Sequence, residues 1–68
     1  MTLTAVIYRD FESDWLVAFN PETGTTTQGK TLEEAVSNLK EATDLYLEEF
    51  PTPPNCHPVL TTFEAAHA

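Results

Sequence analysis

Residues 24–31 read GTTTQGKT and fit the pattern G-x-x-x-x-G-K-[ST]. In a phosphate-binding loop that pattern joins a strand to a helix, and its glycines free backbone N–H groups to cradle an anion. Here Glu33 and Glu34 follow at once, so negative charge sits where the phosphate would lie. The run Thr25, Thr26, Thr27 favours an extended strand over an open cradle. A chain of 68 residues also lacks the length for the doubly wound parallel sheet that such loops serve. The local alternative is that Gly24 and Gly29 bracket a short strand and Thr31 caps a helix.

Three other sets of residues carry chemical potential. Asp10, Glu48 and Glu64 are acids of the kind that hold two catalytic metal ions about 4 Å apart, provided that the fold brings them together. Cys56 and His57 are adjacent but lack the two further ligands of a zinc site, and neighbours in sequence rarely face each other as a nucleophile and base. His67 lies close to the last residue, in a segment expected to fray. The expectation is that the chain is not an enzyme, with no catalytic residue, no cofactor and no metal.

The elements that must position these residues follow from the hydrophobic pattern. TLTAVIYR (2–9) reads as a strand with Leu3, Ala5 and Ile7 on one face and Thr4, Val6 and Tyr8 on the other. Two largely apolar faces predict a central strand. DFESD (10–14) makes a turn, and WLVAFN (15–20) a second strand whose Trp15 is expected beneath the helix. Pro21 to Gly24 punctuate the chain, and 25–28 form a short third strand. Thr31 with Glu34 three residues on is a capping box, and Glu33 and Glu34 suit the positive end of the helix dipole. Leu32, Ala35, Val36, Leu39, Ala42, Thr43, Tyr46 and Phe50 recur at helical spacing. Pro51 ends the helix. PTPPNCHP (51–58) is a stiff loop, and VLTTFEA (59–65) reads as a last strand with Val59, Thr61 and Phe63 opposite Leu60, Thr62 and Glu64. The predicted fold class is α+β: βββαβ, an antiparallel meander with one helix packed on a small mixed sheet.

Composition narrows the partner. Eleven acids face three bases, a formal net charge of −8. Nucleic-acid binding needs clustered Lys and Arg, and Arg9, Lys30 and Lys40 are scattered. A basic protein suits the surface better. A single cysteine excludes an intrachain disulfide and suits a reducing compartment. With no long apolar run and no basic, apolar leader at the N-terminus, the expected location is cytoplasmic, away from membranes. So small a domain gains stability most readily by oligomerisation.

The stretch DWLVAFNPETGTTTQGKTLEEAVSNLKEATDLYLEEF (14–50) resembles the HicB-like antitoxin family. Members of that family look like an aromatic residue with V-A and a P-E element, then QG-[DK]-T, then EEA…NLKEA…LYLE. The ending PVLTTFE (58–64) is similar to the short form of these proteins. The resemblance covers nearly the whole chain, 1–68, as a single HicB-like domain. It implies a partial RNase-H-like βββαβ unit without nuclease activity. It also implies a type II antitoxin that binds a small basic RNA-cleaving toxin of HicA type, covers its catalytic face and assembles as a dimer or tetramer. Longer members add a C-terminal DNA-binding segment, for which this chain has no room, so it is not expected to bind nucleic acid itself. The acids around the first hairpin and the helix, Asp10, Glu12, Asp14, Glu33 and Glu41, are the expected partner surface. The alternatives are an orphan oligomeric interaction domain without a toxin and a degenerate RNase-H-like nuclease using Asp10 and Glu64.

Overall fold

The computed structural model describes residues 2–51 and 57–67. β1 (Val6–Arg9), β2 (Leu16–Asn20) and β3 (Thr25–Gly29) form an antiparallel meander in the order β1-β2-β3, followed by α1 (Leu32–Glu49). The class is α+β, with the chain order βββα. β2 is therefore the central strand and β1 an edge, contrary to the expectation from β1's two apolar faces. The sheet is wholly antiparallel rather than mixed.

The predicted last strand is absent: residues 57–65 carry no strand structure and are exposed throughout. A strand exists only when another edge takes up its backbone groups. This segment passes the β2–β3 corner, where His57 and Pro58 line an open cleft with Pro21 and Glu22, and it is exposed from there on. Most of the predicted stiff loop, with Cys56, lies outside the described residues.

The register Ile7↔Ala18↔Thr27 and Leu16↔Gly29 defines the sheet face that carries the helix. On that face Ala18, Ala35 and Leu39 are buried, with Ile7 and Leu16 packed beside them. The helix lies chiefly over β3 and less over β2. Thr27 Oγ1 donates to Ala35 O at 3.2 Å, and Asn38 Nδ2 to Gln28 O at 2.9 Å. An ideal Cβ on Gly29 would lie 2.5 Å from Ala35 N, so only glycine permits this approach of strand end to helix.

The helix begins as its sequence predicts. Glu34 N donates to Thr31 Oγ1 at 3.1 Å. The Glu34 carboxylate reaches back and accepts from Lys30 N at 3.0 Å, one residue earlier than in the usual reciprocal box. Of the predicted apolar stripe, Ala35, Leu39 and Thr43 are buried, whereas Leu32, Val36, Tyr46 and Phe50 are exposed. Tyr46 and Phe50 stack on each other, 5.1 Å between ring centres.

Candidate functional site: an acidic end and an uncovered sheet face

Antiparallel connection places the β1–β2 turn, the end of β3 and the start of α1 at one end of the molecule. Asp10, Glu12, Asp14 and Glu33 belong to segments at that end. Glu41 stands roughly 12 Å further along the helix at ~1.5 Å per residue. Four of the five predicted partner-binding acids thus belong to one end, and the fifth, Glu41, stands apart from them along α1, beside Asn38, Ala42 and Leu45.

These acids differ in what they are free to do. Asp10 holds the turn: its Oδ2 accepts from the Ser13 hydroxyl at 2.6 Å and its Oδ1 from Glu12 N at 3.4 Å. Asp10 N donates to Trp15 O, and Asp14 N to Asp10 O. Asp14 has φ 63°, the left-handed region that Asp tolerates better than most residues. Its carbonyl accepts from Arg9 Nη1 at 3.1 Å. Glu12 and Glu33 are exposed and are not engaged as side-chain acceptors in the described hydrogen bonds.

Beside this end lies the sheet face opposite the helix. Strand alternation puts Val6, Tyr8, Val17 and Phe19 there, with Trp15 leading into β2. Trp15 is therefore not beneath the helix. It is 37% exposed and carries the Lys30 ammonium 5.5 Å from its ring centre. The alternation separated two faces in the sequence without showing which one the helix covers.

At the other end, sequence reasoning missed a polar knot. Asn20 is fully buried. Its Nδ2 donates to Thr4 O at 2.7 Å and Glu22 Oε1 at 2.6 Å, and its Oδ1 accepts from Thr23 N and Thr23 Oγ1. The Glu22 carboxylate also accepts from Thr4 N at 2.9 Å and Thr4 Oγ1 at 2.7 Å. Desolvation pushes the Glu22 carboxyl up, but the hydrogen bonds from Thr4, its own N–H and Asn20 together outweigh it and hold the group below its ordinary value. Among the described residues no buried side-chain N or O lacks a partner, so the knot is a structural clamp. The signal in the sequence was N-P-E-T, an Asx-type turn.

The other candidates separate. Gly24, at φ 79°, closes the β2–β3 turn through its N–H to Asn20 O. The Glu34 carboxylate accepts from Lys30 N, just before the cap of α1, and so puts a negative charge where a phosphate would bind. Asp10 is in the hairpin, Glu48 near the far end of α1 and Glu64 in the exposed tail. Among the described residues no three of His, Cys, Asp and Glu are grouped to hold a metal. No helix among them is long and apolar enough to cross a membrane.

No protein-family model, curated protein or solved structure matches the chain.

Proposed function

We propose that the chain is a HicB-like antitoxin domain that binds and neutralises a small, basic, RNA-cleaving toxin of HicA type. The observation that supports this reading is that Asp10, Glu12, Asp14 and Glu33 belong to segments at one end of the fold, beside a sheet face that the helix leaves uncovered and that carries Tyr8, Trp15 and Phe19. An RNA-cleaving protein must present cations to attract phosphates, and an acidic surface competes for the same cations. The aromatic side chains next to that surface are of the type that anchors protein interfaces. The domain acts by occlusion, without catalysis, cofactor or nucleic-acid contact, in the cytoplasm and as a homo-oligomer.

The test is an RNA-cleavage assay with a HicA-type toxin titrated by this protein at low and moderate salt. Cleavage should stop near one antitoxin chain per toxin, with weaker inhibition as salt rises. Reversing Glu12, Asp14 and Glu33 to lysine should raise the inhibitory concentration at least about tenfold and flatten its salt dependence. Unchanged inhibition by that variant would refute the electrostatic account. If the toxin is never inhibited while the pure chain remains a stable oligomer, the orphan interaction domain takes its place. The nuclease alternative requires divalent-metal-dependent RNA cleavage by the protein alone that is lost in Asp10→Asn.

A further inference from the structure

We propose that Trp15 and Tyr8 form a shelf that reads an arginine side chain of a basic protein, and that the chain's own Lys30 holds the place until that arginine displaces it. This deepens the proposed function: it rests on the open sheet face being a partner surface and names the group that the face recognises.

The sheet register builds the shelf. Tyr8 is level with Val17 and Gln28, and Val6 with Phe19 and Thr26. One step past Arg9↔Leu16↔Gly29, the register brings Asp10, Trp15 and Lys30 level, and the 2.8 Å bond from Asp10 N to Trp15 O fits that row. Strand alternation puts these three rows on the face away from the helix. Tyr8 is 53% exposed there and Trp15 37%. The two are diagonal neighbours on adjacent strands, which sets their attachment points about 7–8 Å apart. A flat group in contact with a ring on each side, about 3.5–4 Å from each, needs the same gap.

A cation already stands over one ring. Lys30 Nζ lies 5.5 Å from the Trp15 ring centre, within the roughly 6 Å over which a ring face attracts a positive charge. The hold is weak. Lys30 is exposed and donates through its backbone N–H to Glu34 Oε1, while its ammonium donates in none of the described hydrogen bonds. An ammonium is compact and strongly hydrated, whereas a guanidinium is planar, less hydrated and stacks on aromatic faces. A guanidinium therefore gains more from two rings than Lys30 gains from one. Asp10 closes the row on the β1 side. Its Oδ1 and Oδ2 each accept one hydrogen bond within the turn, which leaves each a second acceptor site for a guanidinium N–H.

Charge selects the source of that flat group. Eleven acids against three bases draw in cations and repel phosphate, so a basic protein fits the shelf and the bases of a nucleic acid do not.

The probes are acetylated Gly-Arg and Gly-Lys repeat peptides of equal length and charge, titrated into the full chain at low salt. Trp15 is the single tryptophan, so its emission reports the shelf directly. The arginine peptide should bind more tightly than the lysine peptide and change that emission. Trp15→Leu should weaken the arginine peptide about two- to fivefold, the range of one exposed cation–π contact, and bring the two peptides together. Lys30→Gln should tighten the arginine peptide by a similar factor relative to Lys40→Gln, which removes the same charge from the helix. Equal affinities of the two peptides, or equal effects of Lys30→Gln and Lys40→Gln, would overturn the proposal. So would arginine-peptide binding that leaves the Trp15 emission unchanged. If Trp15→Leu unfolds by circular dichroism, the comparison of the two exposed lysines decides. No toxin enters this experiment. A preference for arginine beside a toxin that is never inhibited would sink the antitoxin reading alone. Inhibition by a protein whose Trp15 is indifferent to arginine would sink the shelf alone.

Discussion

Replacing Gly29 by alanine puts a methyl group 2.5 Å from Ala35 N and 2.9 Å from both Ala35 Cα and Glu34 C. Ordinary contact begins near 3.4 Å, so the start of α1 must withdraw by about 0.9 Å. All three atoms are helix backbone, so trimming a side chain cannot relieve the clash. A withdrawal of that size forfeits a quarter to a half of the dispersion energy of the contacts it loosens. It also stretches the 3.2 Å bond from Thr27 Oγ1 to Ala35 O beyond hydrogen-bonding range. Overpacking costs about 1–3 kcal/mol and the lost bond about 1 kcal/mol, so the expected loss is about 3 kcal/mol. A domain of this size has roughly 3–10 kcal/mol in total. Urea unfolding followed by Trp15 fluorescence and circular dichroism should show the midpoint fall sharply, and the Tm should drop by about 12–24 °C. Gly24→Ala is the control. Its Cβ meets nothing within 4 Å, and only φ 79° opposes it, at about 1 kcal/mol. A Gly29→Ala protein within about 0.5 kcal/mol of the parent would refute the close-packing argument. Calorimetric heat with ATP that vanishes in Lys30→Ala would instead restore the phosphate-loop reading of the same residues.

Asn20→Ala removes a fully buried amide and strands Thr4 O and Thr23 N, for an expected loss of about 2–4 kcal/mol, measured by the same urea titration. Glu22 titrates lower in the folded chain than in the unfolded one, so its contribution is complete above the unfolded value. It is lost as pH falls below about 4.5 and through the depressed folded value. Stability measured across that window should fall with a shallower slope in Glu22→Gln than in the parent, and an unchanged slope would remove Glu22 from the acid response. Thr31→Ala deletes the cap that accepts from Glu34 N and should cost about 1 kcal/mol by thermal melting, with no change in the sheet.

The helix was legible because its signals are local: Thr31 and Glu34 three residues apart, then apolar residues at helical spacing to Phe50. The three strands were legible from alternation and from the turn residues at 10–14 and 21–24. Their antiparallel meander was legible from the short connections, whereas the edge position of β1 was not, because it depends on whether a further strand joins the sheet. VLTTFEA has the pattern of a strand and still forms none, since in this chain no edge takes it up. Trp15 alternates correctly with Leu16, yet no local rule says which face the single helix covers. Gly29 belongs to a familiar string, but its reason depends on a helix crossing the end of its strand. The Asn20–Glu22–Thr4 knot joins residues 16 to 18 apart in sequence, beyond the reach of periodicity. Asp10, expected on the partner surface, is engaged in holding its own turn, which composition and spacing do not reveal.

Neutralisation of a basic RNA-cleaving partner is read from the rate of RNA cleavage by a HicA-type toxin as this protein is added. Cleavage should cease near one antitoxin chain per toxin, and inhibition should weaken with rising salt and with reversal of Glu12, Asp14 and Glu33. Undiminished cleavage in the presence of excess folded protein would contradict it.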